Sequence, residues 1–134
     1  MIAILGDLLD FTADPGFSAP ATAPGVRFRP EHWLLVDDTG RIAGATDTDP
    51  GPDATRIEHR GRLVMPGFID THVHSPQLDV IASYGTELLD WLETYTFPAE
   101  ARHAEPELAA GGARLFLDAL ITHGTTAAAA WLMP

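Results

Sequence analysis

The hydrophobic pattern of the chain changes its period near residue 65, and this change restricts the folds that the chain can adopt. Before it, short apolar runs such as MIAIL and HWLLV alternate with the Pro- and Gly-rich stretches TADPGFSAPATAPG and TDTDPGPDAT. In LLVDDTGRIAGA a polar cluster separates two apolar runs, which predicts a β-hairpin. TRIEH and GRLVM predict a last pair of short strands. Residues 1–64 are therefore expected to form a unit of short strands joined by loops.

After residue 65 the pattern predicts a strand followed by a helix. GFIDTHVH is the strand, and residues 86–95 carry apolar side chains at the i, i+3, i+4 and i+7 positions of one helical face. Those positions are Leu88, Trp91, Leu92 and Tyr95. Thr86 is expected to cap the helix, and Pro98 to end it.

A second helix is predicted from Pro106 to about Gly124, since proline suits the first helical turn. Its expected buried face consists of Leu108, Leu115, Phe116, Ala119 and Leu120. TTAAAAWLMP then predicts a second strand. A strand, a helical connection and a further strand are typical of a parallel sheet, so the sequence indicates the α/β class for residues 65–134.

The composition restricts the classes of partner that the protein is expected to bind. The net charge is −11, and all eight basic residues are Arg, so the chain is expected to avoid nucleic acids and anionic membrane surfaces. The first ten residues have no basic stretch before their apolar residues and are a poor secretory signal, which favours a cytoplasmic location. Without Cys, the chain has no disulfide and no thiolate metal ligand.

His72 and His74 stand two positions apart at the end of the predicted strand. Residues i and i+2 of a strand project from one face, so two imidazoles so placed can bind one cation at about 2.0–2.1 Å from each nitrogen. Val73 between them is expected to face the other way and to pack behind the sheet. The alternative is a pair of histidines that are hydrogen-bonded near the end of a strand, and the spacing alone does not decide between them.

The sequence around the two histidines resembles that of a known enzyme family. VMPGFIDTHVH resembles the entry strand of the amidohydrolase superfamily, and HVHSPQ, ELLDWLETYTFPAE and HGTT resemble the guanine deaminases within it. The resemblance implies part of a small β-sandwich over residues 1–64. It further implies the start of a (β/α)₈ barrel over residues 65–134, which this chain would leave incomplete.

The resemblance also implies a function. His72 and His74 would be two ligands of a Zn²⁺ ion, which lowers the pKa of a bound water towards about 7. Hydroxide attack on C2 of guanine would then give xanthine and ammonia. Gln77 matches the glutamine that binds the purine edge, and Leu88 and Trp91 match positions that line the purine pocket. Leu88 would equally suit a helix face that packs internally.

Further metal ligands and the acid/base residues of this family come from later barrel strands, so no catalytic residue is assigned in this chain, which is expected to be inactive alone. His32, His59, His103 and His123 are interpreted as non-ligands. The complete enzyme is expected to be a homodimer. Two alternatives stay open: a related deaminase or chlorohydrolase acting on another purine, a pyrimidine or a triazine, and a non-catalytic module that binds a metal or another protein.

Overall fold

The computed structural model describes residues 1–17 and 23–131. Its contacts divide the chain into two compact units, Met1–Pro66 and Gly67–Pro134, and each unit contains its own sheet. The loop expected over residues 12–25 and the strand expected over residues 125–134 both extend beyond the described residues. In the part of the chain that is described, no helix is long and apolar enough to cross a membrane.

The first unit is a four-stranded sheet with the strand order β3-β2-β1-β4. Its strands are β1 (Ile2–Phe11), β2 (Val26–Val36), β3 (Ile42–Thr46) and β4 (Thr55–Val64). β1 pairs antiparallel with β2 and parallel with β4, and β2 pairs antiparallel with β3. The predicted hairpin is confirmed at its turn, where the Asp37 carboxylate accepts the backbone N–H groups of Thr39 and Arg41 at 2.9 and 3.0 Å.

The core of the first unit lies against one face of β1. Ala3 and Leu5 occupy alternate positions of this strand, point to the same face, and are 0% and 3% exposed. They pack with Trp33 and Ala54. The guanidinium carbon of Arg56 lies 5.3 Å from the centroid of the Trp33 ring, a cation–π contact that contributes about 0.5–1 kcal/mol at an exposed site.

The two short strands predicted from TRIEH and GRLVM form one strand, β4. Leu5 of β1 lies opposite Glu58, and Asp7 lies opposite Leu63, so the pairing advances two residues on β1 and five on β4. Gly61 has a φ of +66° within this irregularity. The prediction of two strands was wrong because Gly61 belongs to a bulge in a strand that stays extended, and not to a turn that ends it.

Asp10 of β1 binds two arginines of β2. Arg27 donates from Nε to Oδ1 of Asp10 at 2.6 Å, and Arg29 donates from Nη2 to Oδ2. The hydrogen bond from Arg27 and the positive charges of both guanidinium groups hold the pKa of Asp10 below its ordinary value, although partial burial opposes the shift. The carboxylate therefore stays ionised and links the two strands.

The second unit contains a parallel pair of strands joined by helices, as the sequence predicts. The pair consists of β5 (Phe68–His74) and β6 (Thr125–Trp131). Phe68 lies opposite Thr125, and His74 lies opposite Trp131. A 3₁₀ helix follows β5 directly, over Ser75–Val80. The chain is therefore of the α/β class.

The first helical connection differs from the prediction at both ends. It comprises α1 (Leu88–Trp91), a π-helical turn (Leu92–Thr96) and α2 (Phe97–Arg102). Glu87 precedes the first turn with extended backbone, and no side chain caps the helix, so Thr86 is not the cap. Pro98 does not end the helix, because it lies in the first turn of α2, where a missing N–H removes no hydrogen bond within α2.

Helix α3 (Pro106–Thr122) confirms the second predicted helix. Its buried face is narrower than expected. Phe116 is buried, but Leu108 and Leu115 are 55% and 61% exposed. Helical periodicity identifies an apolar face, but it does not determine which of its residues a neighbouring element covers.

Gly111→Ala is expected to raise the free energy of unfolding by about 0.5–1 kcal/mol. Gly111 lies within α3, and a Cβ built on it meets no atom within 4 Å. Gly112→Ala is the matched variant in the same helix, but its Cβ would lie 2.6 Å from Nε2 of His103, so the gain should be smaller or reversed. Urea unfolding followed by far-UV circular dichroism measures both. Equal gains would contradict the close approach of His103.

Asp10→Asn is expected to lower the free energy of unfolding by about 0.5–1 kcal/mol at neutral pH. A carboxyl whose pKa is lower in the folded than in the unfolded protein contributes stability above its unfolded pKa and loses it as the pH falls through the folded pKa. The difference between the two proteins should thus be constant above about pH 5, begin to fall near the unfolded pKa of about 3.9, and vanish only below the lower pKa of the folded protein. Urea unfolding across this range tests the expectation, and a difference independent of pH would count against it.

Candidate active site

His72 and His74 lie at the carboxyl end of β5, and their side chains project from the same face of the strand. The centroids of the two rings are 5.2 Å apart, and the two Nε2 atoms are 3.1 Å apart. The carboxylate of Asp70 accepts the backbone N–H of His72 at 3.0 Å. The strand therefore brings the two imidazoles together, as the alternation of the sequence predicts.

The separation of these nitrogens suits either a hydrogen bond between the two rings or a shared metal ion, so the alternative stated from the sequence stays open. Two histidine nitrogens at about 2.0–2.1 Å from a tetrahedral Zn²⁺ lie roughly 3.3–3.4 Å apart, close to the 3.1 Å between the Nε2 atoms of His72 and His74. Nδ1 of His74 is buried and has no hydrogen-bond partner among the described residues. If Nε2 bound a metal, Nδ1 would carry the ring proton, and a metal site ordinarily supplies that proton with an acceptor.

The two imidazoles alone do not make up a complete metal site. Over residues 1–17 and 23–131, no group of three or more His, Cys, Asp and Glu side chains converges as metal ligands. Catalytic zinc sites use three protein ligands and an open position. His72 and His74 could therefore supply two of the three protein ligands of such a centre.

A cavity of about 560 Å³ lies beside the imidazoles, and Gln77 and Trp91 line it together with His72 and His74. Val73 lines it too. The packing of the Val73 side chain behind the sheet stays a prediction. The other lining residues are mostly apolar: Leu78, Val80, Ile81, Ala82, Phe116, Ala119, Leu120, His123 and Thr125.

Two hydrogen bonds orient the polar groups of the cavity lining. Nε1 of Trp91 donates to the carbonyl oxygen of Ser83 at 3.1 Å, which fixes the plane of the indole. Nε2 of Gln77 donates to Oε1 of Glu100 at 2.9 Å. A flat aromatic wall and an oriented carboxamide are features of sites that bind planar heterocycles.

Leu88 is not part of this cavity, and its side chain is 70% exposed. The sequence allowed Leu88 either to line a purine pocket or to belong to a buried helix face. No contact supports either interpretation, because Leu88 does not line the cavity beside Gln77 and is not buried against another element. Trp91, three residues later in the same helix, lines the cavity instead.

The remaining histidines of the second unit bind backbone carbonyls. Nδ1 of His103 donates to the oxygen of Ala99 at 3.0 Å, and Nδ1 of His123 donates to the oxygen of Ala119 at 2.8 Å. His123 nevertheless lines the cavity. Its interpretation as a non-ligand stays a prediction.

Sequence reasoning missed two neighbours of the site. Glu100 received no role from the sequence, and it binds the amide of Gln77. Trp131 lies with its ring centroid 5.9 Å from that of His72. The parallel pairing of β5 with β6 would have indicated Trp131, since it lies opposite His74. Nothing in the spacing of Glu100 marks its contact with a residue 23 positions earlier.

The model of the amidohydrolase family matches residues 63–132, more than half of the chain. The chain belongs to the amidohydrolase family. A guanine deaminase of Escherichia coli (strain K12) is 34% identical over 131 residues, which cover 94% of this chain and 29% of that protein. A 5-methylthioadenosine/S-adenosylhomocysteine deaminase of Symbiobacterium thermophilum is 34% identical over 104 residues, which cover 66% of this chain and 24% of that protein.

A solved structure agrees with the fold. The crystal structure of guanine deaminase from Bradyrhizobium japonicum superposes with a TM-score of 0.83 at 32% sequence identity, covering 96% of this chain and 28% of that one. The chain thus spans less than a third of the length of the family members it matches.

Proposed function

We propose that this chain is the N-terminal part of a zinc-dependent aminohydrolase that converts guanine and water to xanthine and ammonia. The observation that carries the proposal is the approach of Nε2 of His72 to Nε2 of His74, at 3.1 Å, beside a cavity that Gln77 lines. Membership of the amidohydrolase family and the similarity to guanine deaminases support the reaction class.

In this proposal His72 and His74 hold the metal through Nε2, and other strands of a (β/α)₈ barrel supply the remaining ligands and the proton-transfer groups. Zn²⁺ in such a site supplies a water molecule with a pKa of about 7. The residues of this chain orient that half of the centre, because the backbone of β5 fixes the imidazoles on one face. Two ligands hold a metal weakly, so the chain by itself is proposed to be inactive.

Gln77 and Trp91 are proposed to bind the purine. A carboxamide both donates and accepts, which matches the mixed donor and acceptor edge of guanine. The indole, fixed by its bond to Ser83, offers a flat apolar surface to the rings. Leu88 was assigned to the same pocket from the resemblance, and the exposed position of its side chain gives that assignment no support.

The wider setting follows from the same proposal. Residues 1–64 would be part of a β-sandwich, and residues 65–134 the first βαβ part of the barrel. The complete protein is proposed to be a cytoplasmic homodimer. The net charge of −11 supports the further proposal that it binds neither nucleic acid nor membranes.

A second candidate is a deaminase that acts on an adenosine-type purine. The similarity to the Symbiobacterium protein favours it. The two candidates differ in the atom attacked, which is C2 of guanine in one and C6 of the adenine ring in the other. Gln77 and the YTFPAE segment favour guanine through the resemblance stated above.

The activity is tested in a chimera in which this chain replaces the matching segment of the Escherichia coli guanine deaminase. The zinc-loaded chimera is expected to release ammonia from guanine and not from 5-methylthioadenosine, while the 134-residue chain alone releases none. Gln77→Ala should raise the KM for guanine about tenfold, the effect of one lost hydrogen bond of about 1.4 kcal/mol. If the whole exchange does not fold, an exchange of residues 67–100 serves the same purpose. A folded, zinc-loaded chimera that is inactive on guanine would contradict the proposal.

Metal binding is tested in the chain itself. Titration with Zn²⁺ is expected to shift the ring signals of His72 and His74 together in NMR spectra. His72→Asn and His74→Asn should each weaken binding about tenfold or more, because each removes one of two ligands. His103→Asn is the control and should leave the affinity unchanged. Equal effects of all three substitutions would show that zinc does not bind through the pair.

A further inference from the structure

We propose that Glu100 is a positioning residue that fixes the orientation of the Gln77 carboxamide and so determines which purine edge this amide can bind. The orientation of the amide follows from the structure of the chain, whereas the purine as its ligand rests on the proposed function.

The contact joins two elements that are distant in sequence. Gln77 lies in the 3₁₀ helix Ser75–Val80, three residues after His74, and Glu100 lies in α2. Nε2 of Gln77 and Oε1 of Glu100 are 2.9 Å apart, and the bond is partly buried. Gln77 lines the cavity beside the histidines, whereas Glu100 does not. Glu100 therefore acts on the cavity through Gln77.

The chemistry of the two groups gives the bond a direction. A carboxamide can turn about its last torsion and exchange its oxygen with its nitrogen, and the two orientations have nearly the same shape. An ionised carboxylate only accepts hydrogen bonds. The Gln77 nitrogen must therefore face Glu100, because the opposite orientation would place the amide oxygen against a carboxylate oxygen. A charge-assisted bond of this kind is about twice as strong as a neutral one.

With one N–H bound to Glu100, the Gln77 amide retains its oxygen and its second N–H for a ligand. This pair suits an edge on which an N–H donor stands beside a ring nitrogen that accepts. The 2-amino group and N3 of guanine form such an edge. A purine without the 2-amino group leaves the amide oxygen without a donor, which costs affinity because a buried polar atom loses its partner.

The same two elements carry a second link that provides a matched control. Nη2 of Arg102 lies 3.2 Å from Oδ2 of Asp79, and both side chains are 58% exposed. This ion pair joins the 3₁₀ helix to α2 two residues beyond Gln77 and Glu100, and neither of its members lines the cavity. Removal of this ion pair tests whether a general loosening of the contact between the 3₁₀ helix and α2 is enough to change the orientation of the Gln77 amide.

The sequence makes the bond directly observable. Gln77 is the only Gln in the chain, and the chain has no Asn, so its side chain gives the only carboxamide signals in an ¹⁵N-labelled sample. In the 134-residue chain we expect two well-separated Hε2 signals, one of which exchanges slowly with water. Glu100→Ala should bring the two signals together and speed the exchange of the slow proton about tenfold. Asp79→Ala should leave both signals unchanged.

Equal spectra of the wild type and Glu100→Ala, with retained backbone signals, would overturn the proposal. Merged signals in the Asp79→Ala variant would overturn it too, because the effect would then be a general loosening. If Glu100→Ala does not fold, Glu100→Asp shortens the acceptor by one methylene and should shift the slow proton in the same direction.

The selectivity is measured in the Escherichia coli chimera. In Glu100→Gln the new amide can accept a hydrogen bond from Gln77 or donate one to it. The two side chains therefore stay hydrogen-bonded, but the Gln77 amide can adopt either orientation. We expect the KM for guanine to rise about tenfold, kcat to change less than about twofold, and the preference for guanine over hypoxanthine as a competing ligand to fall about tenfold. Asp79→Ala should match the wild type within about twofold. An unchanged preference in Glu100→Gln would overturn the proposal.

Failure of the proposed function gives a different result. A folded chimera without guanine deaminase activity, together with Gln77 signals that depend on Glu100 and not on Asp79, would leave the amide oriented and would refute only its purine ligand. Activity on guanine together with Gln77 signals that do not depend on Glu100 would support the proposed function and refute the role of Glu100.

Discussion

The register of β5 is the constraint on which the candidate site depends. Alternate residues of a strand share a face, so a shift of one residue would turn both imidazoles to the other side. Parallel pairing with β6 sets this register, with Phe68 opposite Thr125 and His74 opposite Trp131. The Nε2 atoms of His72 and His74 are 3.1 Å apart on the extended backbone of β5, whose pairing with β6 is irregular between Asp70 and Val73.

Sequence periodicity predicted most of the second unit and failed where the chain is irregular. The strand before the histidines, the helix from Pro106 and the strand from Thr125 are all confirmed among the described residues. Pro98 was expected to end a helix, because proline usually does. The structure instead places it in the first turn of a new helical segment that follows a π-helical turn. A local rule cannot foresee a change of helix type that begins six residues earlier, at Leu92.

Contacts between residues distant in sequence could not be predicted from one chain. The bond from Gln77 to Glu100 and the ring of Trp131 beside His72 depend on how helices and strands pack. The same limit explains Leu88, Leu108 and Leu115, which an apolar periodicity assigned to buried or binding faces and which are all more than half exposed. Periodicity defines an apolar face, and only a packing partner buries it. In the proposed barrel, further strands and helices would cover such side chains.

The imidazole pair and the Gln77 amide of the candidate site lie close together in the sequence. His72, His74 and Gln77 all lie within six consecutive residues, 72–77. The 3₁₀ helix begins immediately after His74, and its first residues, Ser75 and Pro76, are buried. The turn is therefore anchored to the end of the strand, and any change in the register of β5 would displace Gln77 together with the imidazoles. The bond to Glu100 acts at the other end of this short segment, where the strand no longer constrains the chain. A strand at one end and a helix at the other thus hold two imidazoles and one amide in a fixed relation, which is the preorganisation that selective binding of a small rigid ligand requires.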